Sequence, residues 1–96
     1  MDGESNTATG ASALRANISG AYNSAFGRNA LSKSTASFNN VAFGVEALAD
    51  NLANGNAAYG AYALQKNTTG YSNTAVGLGL AVIFVLGITM PINWVI

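Results

Sequence analysis

The chain has 96 residues, a formal net charge of zero, no cysteine and no histidine. A chain of this length makes one domain, and without cysteine it has no disulfide framework and no thiolate chemistry. Its four basic residues form no patch to hold nucleic-acid phosphates. Its four acidic residues are scattered and favour neither a metal site nor an acid–base pair. We therefore expect no enzyme activity, no cofactor, no metal and no nucleic-acid partner.

The N-terminal lead, residues 1–5, is short and polar. It contains no hydrophobic run, so no secretory signal peptide is predicted.

Residues 6–77 repeat the motif Asn-x-Ala-x-Gly five times, at spacings of 17, 17, 16 and 17 residues. An Ala-Leu pair follows the glycine in four copies. Self-similarity at a fixed period is typical of stacked repeat architectures. The repeat positions, which we regard as structural, form an alanine column (Ala8, Ala25, Ala42, Ala58, Ala75), a glycine column (Gly10, Gly27, Gly44, Gly60, Gly77) and a leucine column (Leu14, Leu31, Leu48, Leu64).

Each repeat has two halves. The first is Asn-x-Ala-x-Gly, and the residue between Ala and Gly is mostly β-branched or aromatic, which favours a strand. Alternation then places the alanine on one face and its neighbours on the other. The second half, Ala-Leu-x-x-Asn-x-x-Gly, contains turn residues. Seventeen residues accommodate two strands of about five residues and two turns, so the period predicts an all-β solenoid whose identical columns stack about 4.8 Å apart.

A helical repeat is the main alternative, and a fragment that does not fold is another. Gly or Asn recurs every few residues, and each lowers helix stability relative to Ala. No apolar stripe of helical period runs longer than about two turns. The pattern therefore favours the β-solenoid.

The repeats resemble the head repeats of trimeric autotransporter adhesins and the related repeats of phage tail-fibre and bacterial surface proteins. The resemblance covers residues 6–77 and is clear in ALQKNTTGYSNTAVG, residues 63–77. It implies a left-handed parallel β-roll, three chains packed side by side, and attachment at a cell surface, outer membrane or virion fibre. The chain departs from the family in its period, since about fourteen residues is common in adhesin heads. It also shows no coiled-coil stalk, β-barrel anchor or self-cleaving chaperone domain.

The tail, Leu78–Ile96, contains no charged residue. Its nineteen residues lie at the lower edge of a membrane span, but Pro91 ends or kinks a helix after Met90. Trp94 is suited to a membrane interface. Three interpretations stay open: a membrane anchor with a possible helix, a hydrophobic cap or trimer plug on the solenoid, and an aberrant end.

Other patterns have a simpler structural explanation. The sequons at Asn17 and Asn67 fall at the equivalent turn of the repeat, and the glycines lack the Gly-Lys-Ser/Thr of a phosphate loop. A Ser-Lys nucleophile lacks a strand–turn–helix frame, and the aromatic column favours packing over stacking of sugars or bases. Ice binding is a remote alternative, because the ladder after the motif asparagine (Thr7, Ser24, Val41, Ala57, Thr74) is irregular.

We therefore predict a non-enzymatic, trimeric fibre module for attachment or spacing. The alternative is a small protein tethered to a membrane by Leu78–Ile96. Contacts to a host-surface receptor or glycan are expected on variable columns, such as Arg28, Asn29, Glu46 and Tyr62.

Overall fold

The computed structural model describes residues 5–79. In this range the chain forms five strands of three residues each, and they lie in one parallel sheet in sequence order. The fold is a parallel β-solenoid of about 4 turns, as the repeat predicted, and residues 5–79 contain no helix. The strands are β1 (Thr7–Thr9), β2 (Ser24–Phe26), β3 (Val41–Phe43), β4 (Ala57–Tyr59) and β5 (Thr74–Val76). Left-handed winding and a trimer remain predictions, and the predicted C-terminal helix falls outside the described residues except for Leu78 and Gly79.

The strands stack in exact repeat register. Ala25 pairs with Ala42, and Phe43 pairs with Tyr59, so each motif residue lies over its counterpart in the next coil. The alanine column points inward from β2 to β5, where its members are fully buried. Ala8 is exposed, because it lies in the first described coil and no described coil covers it. The predicted alternation is thus confirmed within the stacked coils.

The second half of each coil is a series of turns and not a second strand. In the third coil, Ala47, Ala49 and Asn51 each donate a backbone N–H to the carbonyl three residues earlier, at 3.1–3.2 Å. The intervening Leu48 and Asp50 donate instead to the next coil, at 3.0 and 3.1 Å. The prediction of two five-residue strands per coil was therefore wrong. The chain cannot stay extended here, because left-handed residues interrupt it.

Those left-handed positions include the leucine column. Leu14, Leu31, Leu48 and Leu64 have φ between 50° and 53°, a region that costs an L-residue about 1–2 kcal/mol. The same leucines are the largest apolar side chains of the core and are 0–3% exposed. Burying a leucine contributes about 1.5–3 kcal/mol. Burial therefore offsets the backbone cost, and the leucines hold the turn side of the coil inward.

The glycine column marks the closest approach between coils. A Cβ added to Gly44 would lie 2.6 Å from both the carbonyl carbon and the oxygen of Gly60, and the φ of Gly44 is +142°. Only glycine fits such a contact, because neither the space nor the backbone angle accommodates a side chain. The column therefore sets the distance between the strands where each one ends.

The motif asparagines (Asn6, Asn23, Asn40, Asn56 and Asn73) form a buried polar ladder. The Oδ1 of Asn40 accepts the backbone N–H of Asn56 at 2.9 Å, and its Nδ2 donates to the Ala53 carbonyl at 2.9 Å. The same pair of bonds follows Asn6, Asn23 and Asn56. Each side chain thus ties its coil to both the turn and the strand of the next.

A second polar column lies at the turn. Asn67 donates to the Gly70 carbonyl at 2.9 Å and to the Oδ1 of Asn51 at 2.8 Å. In the second coil Ser34 replaces the asparagine, and its hydroxyl contacts that of Ser37, which replaces the glycine. The third coil is one residue shorter in this turn, yet it keeps the asparagine-to-carbonyl bond from Asn51 to Ala53 at 2.7 Å.

Candidate functional site

The outer surface of the sheet is the candidate interaction site. We call it the strand face, and it consists of the residues on either side of the motif alanine in β1–β5. The face contains no charged residue. Its members are Thr7, Thr9, Ser24, Phe26, Val41, Phe43, Ala57, Tyr59, Thr74 and Val76.

Three rings at the centre of the strand face form an aromatic ladder, namely Phe26, Phe43 and Tyr59. The centroids of Phe26 and Phe43 are 4.8 Å apart with planes inclined by 26°. Those of Phe43 and Tyr59 are 6.3 Å apart and inclined by 18°. Phe43 is nevertheless 52% exposed and Tyr59 43% exposed. Stacking within the chain therefore leaves about half of each of these two rings open to a partner.

Charged side chains lie elsewhere on the coil. Arg28 pairs with Glu46 at 3.6 Å, and Lys33 pairs with Asp50 at 3.4 Å, each across one coil boundary. These pairs are largely exposed and contribute about 0–1 kcal/mol each. Every charged residue of the repeats lies outside the strand face, on the turn half of its coil. The solenoid therefore has an uncharged side and a charged side.

The residues named as receptor contacts lie together at one corner. Asn29, Glu46 and Tyr62 occupy equivalent positions of three successive coils, with φ of 61°, 57° and 65°. Arg28 precedes Asn29 and pairs with Glu46. The corner immediately follows the glycine column, so it lies between the strand face and the charged turns. No bound group in this corner identifies a ligand.

The glycosylation pattern is structural at both sequons. Asn17 is 7% exposed and Asn67 is 1% exposed, and the amide of each donates to the glycine carbonyl of its own turn. A glycan acceptor must be accessible, so turn chemistry accounts for these residues. Residues 5–79 also contain no group of three His, Cys, Asp or Glu side chains placed to hold a metal ion.

The tail cannot be assessed as an anchor. Within residues 5–79 no helix is long and apolar enough to span a bilayer. Only Leu78 and Gly79 of the predicted tail belong to the described range, and Leu78 is 77% exposed. The three interpretations of Leu78–Ile96 therefore stay as predictions.

Sequence reasoning missed the buried role of the motif asparagines. It assigned asparagine to turns, although Asn23, Asn40 and Asn56 are 0% exposed. The signal was present, since asparagine opens all five copies while the residue after it varies. No protein-family model, no curated protein and no solved structure matches this chain.

Proposed function

We propose that this chain is a structural, non-enzymatic fibre module. It associates side by side into a homotrimer and acts as a spacer or attachment segment at a cell surface or on a virion fibre. The uncharged strand face, with its half-exposed aromatic ladder, carries the proposal. The resemblance of the repeats to adhesin heads and tail fibres suggests three as the number of chains.

The physical argument is one of area and charge. Contiguous apolar surface on a soluble protein marks an interaction site, and aromatic residues are enriched at interface cores, from which charge is depleted. The strand face has both properties along its whole length. A small repeat domain also buries little apolar area alone, since most of its core is alanine. Association through the strand face adds the buried area that the coils lack.

The test is the mass of the full-length chain by sedimentation velocity, for the wild type and two variants of the third coil. Phe43→Glu places a charge in the aromatic ladder, whereas Leu52→Glu places one on the turn. The two side chains are matched in exposure, at 52% and 56%. We expect a trimer for the wild type and for Leu52→Glu, and a monomer for Phe43→Glu. A trimer that survives Phe43→Glu would remove the strand face from the interface.

Attachment and spacing differ in their need for the corner of Arg28, Asn29, Glu46 and Tyr62. In the attachment role, Tyr62→Ala lowers binding of the trimer to host cells or a glycan surface and leaves its mass unchanged. In the spacer role, neither the wild type nor the variant binds.

The membrane-tethered alternative depends on the nineteen uncharged residues of Leu78–Ile96. It predicts that the full chain sediments with lipid vesicles, and that replacing Val85 by Arg abolishes this. Ice binding would appear as thermal hysteresis.

A further inference from the structure

The last motif asparagine breaks the pattern that the other four share. Asn73 is 0% exposed, and neither its Oδ1 nor its Nδ2 has a hydrogen-bond partner. In the preceding coil, the Oδ1 of Asn56 accepts the N–H of Asn73 at 3.0 Å, and its Nδ2 donates to the Gly70 carbonyl at 2.7 Å. A buried amide without partners is costly, so Asn73 requires two specific backbone groups that residues 5–79 do not supply.

The regular ladder defines those two groups. One is the backbone N–H at the start of a following strand, and the other is the carbonyl three residues before it. A segment that supplies both has the form Gly-x-Ser-Asn, as at residues 70–73. The seventeen-residue period would place the next motif asparagine at position 90, which is Met90, and no Asn-x-Ala-x-Gly occurs after Gly77. The downstream sequence therefore does not continue the ladder.

The N-terminal sequence of the same chain does match. Residues 3–6 read Gly-Glu-Ser-Asn, which is the spacing of Gly70-Tyr71-Ser72-Asn73. Ser5 has φ of 56°, and its counterpart Ser72 has φ of 59°. The chain thus begins its first coil with the turn that precedes every motif asparagine, and β1 is an edge strand at that end of the sheet.

We propose that the two ends of the solenoid bind each other between copies, head to tail. The Oδ1 of Asn73 accepts the N–H of Asn6 of a second copy, and its Nδ2 donates to the Gly3 carbonyl of that copy. Strand β5 then pairs in parallel with β1 of the second copy, with Thr74 beside Thr7 as in every internal boundary. Both edge strands gain the partners that an exposed edge lacks.

This contact goes beyond the proposed function and does not depend on it. The strand face joins chains side by side, whereas this contact joins their ends along the solenoid axis. A head-to-tail contact uses two different surfaces, so it does not close on a pair and extends into a linear array. It supplies length to a fibre whose single module has only five strands.

Cysteine cross-linking on the full chain tests the proposal, because the wild type has no cysteine. Thr7→Cys and Thr74→Cys are prepared as single variants, mixed and oxidised. In a head-to-tail contact these positions are neighbours about 4.8 Å apart, within the roughly 4.4–6.8 Å between Cα atoms that a disulfide spans. Most of the mixture should shift to a disulfide-linked heterodimer, identified by mass. Each variant alone should stay uncross-linked.

The control replaces Thr7→Cys by Ser24→Cys, which lies in the same column of an internal coil. A mixture of Ser24→Cys and Thr74→Cys should give no heterodimer, and Asn73→Ala in the Thr74→Cys chain should reduce the heterodimer with Thr7→Cys. Circular dichroism confirms that each variant keeps the wild-type fold. The proposal is overturned if the first mixture gives no more heterodimer than the control, or if Asn73→Ala leaves cross-linking unchanged. Cross-linking of Thr74→Cys with itself instead reports a side-by-side contact, so the two modes of association are distinguished.

Discussion

Replacing Gly44 by alanine tests the closest contact in the solenoid. The added Cβ would lie 2.6 Å from the carbonyl carbon and oxygen of Gly60 and 2.9 Å from the nitrogen of Ala61. All three are backbone atoms, so no flexible side chain can move aside. Either two coils separate locally, which weakens the flanking hydrogen bonds, or the strand end distorts.

The expected cost has two parts. Overpacking against a rigid neighbour costs about 1–3 kcal/mol. A non-glycine residue held at a φ of +142° adds about 1–3 kcal/mol. The sum is roughly 2–6 kcal/mol, whereas a folded unit of this size has a total stability of about 4–11 kcal/mol. Gly44→Ala should therefore remove a large part of the free energy of unfolding.

Gly55→Ala is the matched control. Gly55 also has a positive φ, 74°, but a Cβ there meets nothing nearer than 3.6 Å. Its cost is the backbone term alone, about 1–2 kcal/mol. Urea unfolding followed by circular dichroism measures both variants against the wild type. Equal destabilisation of the two would show that backbone angle, and not coil-to-coil contact, explains the glycine column.

Three further substitutions test other parts of the coil. Leu48→Ala should lower the free energy of unfolding by about 2–5 kcal/mol through the cavity it leaves, which urea unfolding measures. Asn40→Ala strands the Asn56 N–H and the Ala53 carbonyl in the interior, so we expect a loss of about 1–3 kcal/mol for each group and faster amide exchange at Asn56. Lys33→Ala should change stability by less than about 1 kcal/mol, and the difference from wild type should disappear at 1 M salt.

The architecture was predictable because the repeat is a geometric statement. A fixed period in several columns requires that equivalent residues stack, and Ala25 over Ala42 or Phe26 over Phe43 follows at once. The strand itself was predictable from alternation, since the alanine is the only small residue flanked by strand-forming types. The aromatic ladder is the direct consequence, as stacked columns bring like rings together.

The path of the turn half was not predictable from propensity. Leucine is an unfavourable residue at positive φ, and nothing in an Ala-Leu pair signals a left-handed backbone. Burial in the core overrides the local preference at Leu31 and Leu64, which are fully buried at φ of 52° and 50°. The asparagine ladder was missed for a related reason. Local rules assign asparagine to turns, whereas here coil-to-coil hydrogen bonds determine its position.

The repetition itself bears on function. At each internal boundary, the motif asparagine, the glycine and the leucine make the same bonds to the next coil, so every coil is completed by its neighbours and only the terminal coils are left incomplete. The strand face is likewise continuous along the axis and uncharged. Described residues 5–79 gather no convergent set of polar side chains such as a reaction would need. The arrangement has two kinds of unsatisfied surface, a side and an end, and both can be satisfied by further copies of the chain, which is the property that a fibre requires.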